Sequence, residues 1–147
     1  MYKRILIPTD GSPLARKALK EGIALAKAVG ASVFGYTAIE PIERIYYSEG
    51  AGVRAGQAKA IEKQLRDQGE QYVEVIRKAA TAAGVASEVL IARARDPYQG
   101  IIDAARTHRC DLICIASHGR GNIATALLGS VTQKVLAHSK IPVLVCR

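Results

Sequence analysis

Apolar and polar positions along this chain alternate between two periods. Residues 4–8, "RILIP", form a short apolar run rich in branched side chains that stops at Pro8, which predicts a buried strand. Beyond "TDGS" the period becomes helical. Ala15, Ala18, Leu19, Ile23, Ala26 and Val29 make one apolar stripe; Ser12 suits the N-cap and Pro13 the first helical position. Gly30 suits the left-handed position that ends such a helix. "SVFGYTAI" (32–39) predicts a second strand. A long connection over 40–54 follows, where Pro41, Gly50 and Gly52 interrupt any period. A long helix is expected over about 55–83, with Ile61, Leu65, Tyr72, Ile76, Ala79 and Ala83 inward and Gly84 at its end. "ASEVLIARA" (86–94) is the third strand. Asp96–Pro97 repeats the cap-then-proline signal and opens a helix over 97–107, with Ile101, Ile102 and Ala105 apolar. "DLICIA" (111–116) is the fourth strand, a helix is expected over about 130–138, and "IPVLVC" (141–146) is the fifth strand.

Strands separated by helices must run parallel, with right-handed crossovers. The near-continuous apolar runs of strands one, four and five suit a sheet covered on both faces. The pattern therefore predicts an α/β fold, an open three-layer α/β/α sandwich around a five-stranded parallel sheet. In such sheets ligands bind beyond the carboxyl ends of the strands, where the strand order reverses. The loops of interest are 8–13, 38–54, 94–97 and 116–130.

Composition narrows the function classes. A length of 147 residues, 1–147, is expected to form one domain with its own core. Its apolar runs are about five to seven residues long, against the roughly 20 that a bilayer needs, so no membrane span is expected. "MYKRILIPTDGS" has too short an apolar stretch for a signal peptide, and the three cysteines have no framework spacing. Cys114 and Cys146 read as small core residues in a reducing compartment, so a cytoplasmic protein is expected. The net charge of +8 favours an anionic partner, but the lysines and arginines are scattered. One phenylalanine with no tryptophan gives a poor base-stacking platform, and a solvated basic surface is favoured over nucleic-acid binding.

Chemistry concentrates after the fourth strand, in "ASHGRGNIATALLGSVTQKV" (116–135). Gly119 and Gly121 would let backbone approach a ligand closely. A helix N-terminus with free N–H groups suits phosphate, and a capped turn with ordinary loop glycines fits equally well. Ser130 and Thr132 can donate hydroxyl bonds, or Ser130 can cap the last helix. The pattern G-x-x-x-x-G-K-[ST] and the nucleophile elbow G-x-S-x-G are absent. "GRGNIA" (119–124) fits a loose dinucleotide fingerprint, but the next strand ends "VLVCR" without the acid that a ribose needs. His108, Cys110, Cys114 and His118 are poor zinc ligands as a set, because Cys114 is mid-strand and His118 lies past the strand end. In "PTDGSP", Asp10 either caps a helix beside Ser12 or meets a ribose hydroxyl or base edge. Arg120 either pairs with phosphate oxygens or faces solvent.

Taken together these pieces resemble the universal stress protein family. Its ATP-binding members carry G-x-x-G-x9-G-[ST] after strand four. Here "ASHG" (116–119), nine residues and Gly129–Ser130 follow that pattern, with Ala116 replacing the first glycine. "LLGSVTQKVLAHSKIPVLVCR" (127–147) and "KRILIPTDGSPLARKALKEGIALAK" are similar to the family's two ends. The resemblance implies a Rossmann-like sheet of the adenine nucleotide alpha hydrolase type with strand order 3-2-1-4-5. It implies nucleotide contacts at Pro8, Thr9 and Asp10 beside adenine and ribose, at the backbone of Ala38, and at Ile115 and Ala116. Gly119, Gly129, Ser130, Val131 and Thr132 would meet the phosphates. The implied cofactor is ATP with Mg²⁺ or Mn²⁺. Efficient turnover is not expected, since Asp10 is the only acid near the phosphate loops; slow hydrolysis or self-phosphorylation is what the family allows. The alternative is a protein that does not bind nucleotide and works through dimerisation and protein partners, and Ala116 is its support. A Cβ there is unfavourable if the position needs positive φ and harmless if it is an extended strand end. The family also implies a homodimer through strand 141–146, an apolar edge. Tyr46 and Tyr47 either cover a nucleotide or belong to a merely mobile loop.

Overall fold

The computed structural model of the chain describes residues 1–43, 55–120 and 127–147. The strand at the centre of the sheet is β1 (Arg4–Pro8), in which Ile5, Leu6 and Ile7 have no exposed surface. It pairs in parallel with β2 (Ser32–Ile39) on one side and β4 (Leu112–Ala116) on the other. β3 (Ser87–Arg93) adds to β2 and β5 (Val143–Cys146) to β4, so the order is 3-2-1-4-5 and both outer strands are edges.

Strand alternation divides the core in two. Ile5, Ile7, Val33, Leu112 and Cys114 pack against Ala18, Leu19 and Ile23 of α1 (Pro13–Val29) and Ile76 and Ala80 of α2 (Ala55–Ala83). Leu6, Phe34, Tyr36, Ile113 and Ile115 point the other way. They pack against Ile101, Ala104 and Ala105 of α3 (Pro97–Thr107) and Val135 of α4 (Ser130–His138). The result is the α/β/α sandwich that the two periods predict, with α1 beginning at Ser12–Pro13 and ending at Gly30 as its signals indicate.

Three local expectations change. Ile76 is fully buried as expected and Ala79 and Ala83 pack against the core partly buried, but the fully buried line of α2 also takes in Gly69, Val73 and Ala80. Gly69 faces Ile91 and Ile39, and a Cβ there would lie 3.2 Å from the Ile91 Cγ2, so a residue without apolar signal marks the true contact face. Strands three, four and five are shorter than their apolar runs. Asp111 stays outside β4, where its carboxylate accepts the N–H groups of Lys3 (2.8 Å) and Arg4 (3.0 Å). Asp96 occupies the N-cap of α3 but makes no side-chain cap bond, whereas Ser12 accepts the Ala15 N–H at 3.2 Å and caps α1 as expected.

Candidate functional site

The carboxyl ends of β1, β2 and β4 open on one side of the sheet, and short bonds fix the loops that leave them. The Thr9 N–H donates to the Tyr36 carbonyl, and the Thr37 hydroxyl donates to the Thr9 carbonyl, both at 2.8 Å. These bonds seat Pro8–Asp10 on the end of β2, where Ala38 lies. Asp10 then closes an Asx turn, its Oδ1 accepting the Ser12 N–H at 2.9 Å. Gly11 permits that turn with φ 77°, and any Cβ there would strike the Tyr72 ring of α2. The other carboxylate oxygen, Oδ2, accepts the Arg120 N–H at 2.9 Å.

After β4 the chain is returned to the strand end. Ser117 donates its N–H to the Cys146 carbonyl and accepts the Gly129 N–H, each at 2.7 Å. Gly129 is the N-cap of α4, extended and without a side-chain cap bond. Ser130 is thus the first helical residue and does not cap the helix. The N–H groups of Ser130, Val131 and Thr132 have no carbonyl within the helix to meet, and they form its positive end. The Thr132 hydroxyl is already engaged, donating to the Ala116 carbonyl at 2.8 Å, so Thr132 has only its backbone to offer a ligand. Ala116 lies in the β4 ladder opposite Cys146, and Arg109 is the one described non-glycine residue with positive φ.

Between these loops lies a cleft of about 280 Å³. All eleven positions named from the resemblance line it. Pro8, Ala38, Ile115, Ala116 and Val131 contribute apolar surface. Thr9, Asp10, Gly119, Gly129, Ser130 and Thr132 contribute polar side chains or backbone to its lining. Sequence reasoning about the site missed Ala15, Tyr36, Pro97 and Ile101, which complete the apolar wall. The signal for Pro97 was present, since loop 94–97 follows a strand end. Tyr36 and Ile101 read only as core. The Tyr36 hydroxyl is buried with no hydrogen-bond partner among the described residues, and burial, helped by the Asp103 carboxylate, pushes its pKa up to about 12.

His118 and Arg120 also line the cleft. His118 Nδ1 lies 3.2 Å from the Ser117 hydroxyl. The Arg120 guanidinium stacks over the Tyr72 ring, 5.0 Å from its centroid, at a geometry suited to a cation–π contact. No group of three or more metal-binding side chains occurs among the described residues. Cys110 and Cys114 belong to opposite halves of the core, and His108 stacks on Phe34 with centroids 4.1 Å apart. Burial raises the Cys110 thiol to about 11 and also raises those of Cys114 and Cys146, so all three rest as neutral thiols. Tyr46 and Tyr47, with most of the interval between Arg120 and Leu128, lie outside the described residues. No described helix is long and apolar enough to cross a membrane.

Comparison with known proteins places this architecture. The model of the universal stress protein family matches residues 1–147. Universal stress protein MJ0577 of Methanocaldococcus jannaschii is 33% identical over 157 residues, covering 100% of this chain and 96% of its own. Its solved structure superposes with a TM-score of 0.82, covering 99% of this chain and 95% of the other. A universal stress protein of Thermus aquaticus is 32% identical, with 100% of both chains covered. A universal stress protein solved in complex with cAMP is 26% identical, with a TM-score of 0.63 over 99% of this chain and 97% of its own. With residues 1–147 matched by that one family model, the chain belongs to the universal stress protein family.

Proposed function

We propose that this cleft binds an adenine nucleotide, with ATP as the ligand, and that the protein acts in the stress response through nucleotide binding rather than turnover. The observation that carries the reading is the shape of the cleft, in which an apolar slot and an uncapped helix N-terminus face one ligand-sized space. A volume of about 280 Å³ is near the lower end for small-molecule sites. The planar base fits among Ala38, Ile101, Ile115 and Val131, with backbone at the end of β2 at its edge. The ribose lies beside Asp10 and Gly119. The phosphates lie at the first turn of α4, where the N–H groups of Ser130 to Thr132 and the Ser130 hydroxyl are oriented before the ligand arrives. The likeness to a family member solved with cAMP supports the same class of ligand.

Ala116 fits this reading. As an extended strand residue it has no need of positive φ, and its side chain belongs to the core cluster beneath α1. The donor set also bears on the metal. Asp10 is the only carboxylate that lines the cleft among the described residues, and each of its oxygens already accepts an N–H. Mg²⁺ or Mn²⁺ would therefore be held mainly by phosphate oxygens and would supply charge neutralisation. The same arrangement disfavours turnover, because the one carboxylate that lines the cleft among the described residues is held by two N–H groups and is poorly placed to take a proton from water.

The proposed assembly is a homodimer through β5. The strand is a sheet edge, and Leu144 (41% exposed) and Leu136 (42%) leave apolar surface beside it. The neutral, buried thiols suit a reducing cytoplasm. Calorimetric titration of the purified chain with ATP, with adenosine and GTP as comparisons, tests the proposed function. Saturable binding of ATP is expected, and no heat at millimolar ATP would refute it.

A further inference from the structure

We propose that Asp10 is a positioning residue whose carboxylate clips the β1–α1 loop to the phosphate side of the cleft, and that residue 119 is glycine because of that carboxylate. The effect on ligand affinity rests on the nucleotide reading above; the clip itself does not.

Three circumstances select glycine in a loop: positive φ, close approach of a ligand, or close approach of another part of the chain. The first does not hold at position 119, because the described glycines with positive φ are Gly11, Gly30 and Gly84. The third is met directly. A Cβ built on Gly119 would lie 2.6 Å from Asp10 Oδ2 and 3.7 Å from its Cγ. Ordinary van der Waals contact begins near 3.4 Å, so a side chain at 119 must displace the carboxylate. The carboxylate cannot yield freely. Oδ1 is held by the Ser12 N–H and Oδ2 by the Arg120 N–H, both at 2.9 Å. Charge-assisted bonds of this kind are stronger than neutral ones.

The clip has a consequence for the site. The segment Ser117–Arg120 is tied at both ends, by Ser117 to Gly129 and by Arg120 to Asp10. Gly129 begins α4. Asp10 therefore acts through Arg120 and Gly119 to set the distance between the β1 loop and the helix terminus that receives phosphate. The apolar slot does not depend on this link, since Ala38, Ile101 and Ile115 are held by the sheet and α3.

The test is a double-mutant cycle read by urea unfolding and by titration with adenosine and with ATP. The variants are Gly119→Ala, Asp10→Ala and the double substitution, with Asp10→Asn as the milder alternative should Asp10→Ala fail to fold. Gly119→Ala alone is expected to lower the unfolding midpoint. In the Asp10→Ala background, where the clash is gone, the same change is expected to cost nothing further. Asp10→Ala is expected to weaken adenosine a few-fold, through the ribose beside Asp10, and ATP about tenfold more than adenosine. Equal cost of Gly119→Ala in both backgrounds overturns the clip. Equal loss of adenosine and ATP in Asp10→Ala also overturns the positioning role, in favour of direct ribose contact. Absence of binding by the wild type to either ligand defeats the nucleotide reading, while the unfolding cycle still decides the clip.

Discussion

The Thr132 hydroxyl donates to the Ala116 carbonyl at 2.8 Å, joining the first turn of α4 to the last residue of β4. Both residues are buried. The bond makes the helix terminus part of the strand end, so the N–H groups of α4 keep a fixed place at the mouth of the cleft. Replacing Thr132 by Val keeps the shape and leaves a buried carbonyl without its partner, at a cost of about 1–3 kcal/mol. Urea unfolding should show that loss in Thr132→Val and much less of it in Thr132→Ser. An unchanged midpoint in Thr132→Val would show that the bond contributes nothing net.

Ala116 stands at the first glycine of the pattern G-x-x-G-x9-G-[ST], and its geometry makes the exchange mild. It pairs with Cys146 in regular parallel ladder and has no positive φ. Ala116→Gly should leave ATP affinity within about twofold and lower stability by roughly 0.5–1 kcal/mol through added freedom of the unfolded chain. Titration and thermal unfolding of the same sample measure both quantities. A large gain in affinity would mean that the methyl group obstructs the ligand.

Tyr36 carries a hydroxyl that the fold does not satisfy among its described residues. It adjoins α3 at Gly100, where a Cβ would collide with it. Tyr36→Phe should be neutral or stabilising at pH 7, by up to about 1 kcal/mol, because a buried hydroxyl without a partner is costly. The pH dependence has a definite sign. Burial, then the Asp103 carboxylate, raises this phenol from 10.0 to about 12, so the folded state holds the proton more tightly than the unfolded chain. The corresponding stability is complete below pH 10 and is lost as pH rises from 10 towards 12. The buried thiols also weaken the fold in alkali, so the comparison is between variant and wild type. Tyr36→Phe should lose less stability than wild type between pH 10 and about 12, and parallel curves would contradict the buried phenol.

The fold was legible because local signals and periodicity agreed. Ser12–Pro13 opens α1, Gly30 closes it in the left-handed region, and the stripe from Ala15 to Ala26 faces the sheet. Where a contact is made by a residue without apolar character, the pattern was silent, as at Gly69 in α2. The site was half legible. Its two loop clusters announce themselves by glycine spacing and by hydroxyls before a helix. The link between them does not, because Asp10 and Arg120 are 110 positions apart and their bond uses a backbone N–H that every residue type but proline carries. Tyr36 and Ile101 read as core for a sound reason: they are core, and the cleft is cut into it.

Gly129 gives a prediction that separates space from charge. A Cβ at this position would lie 3.2 Å from the His118 Cα and 3.3 Å from the Ser117 carbonyl, both of which are backbone atoms. Gly129→Val should therefore push α4 from the strand end and lower both stability and ATP affinity. Ser130→Ala removes only a hydroxyl and should weaken ATP alone, by about fivefold. Comparing unfolding midpoints and binding curves for the pair distinguishes the two effects; equal behaviour would mean that this turn does not receive the phosphates.

The dimer prediction depends on which side chains of β5 face outward. Val143 and Val145 belong to the core beneath α3 and α4, so a charge at either would disturb folding and association together. Leu144 is 41% exposed and lies on the opposite face of the strand. Leu144→Lys places a charge on the edge without opening the core, and paired edges reject unmatched charge. Light scattering should give a dimer for wild type and a monomer for Leu144→Lys, with nearly equal unfolding midpoints at low protein concentration. ATP affinity should persist in the monomer, because none of the described residues that line the cleft belongs to β5. A dimer that survives Leu144→Lys would move the interface away from β5.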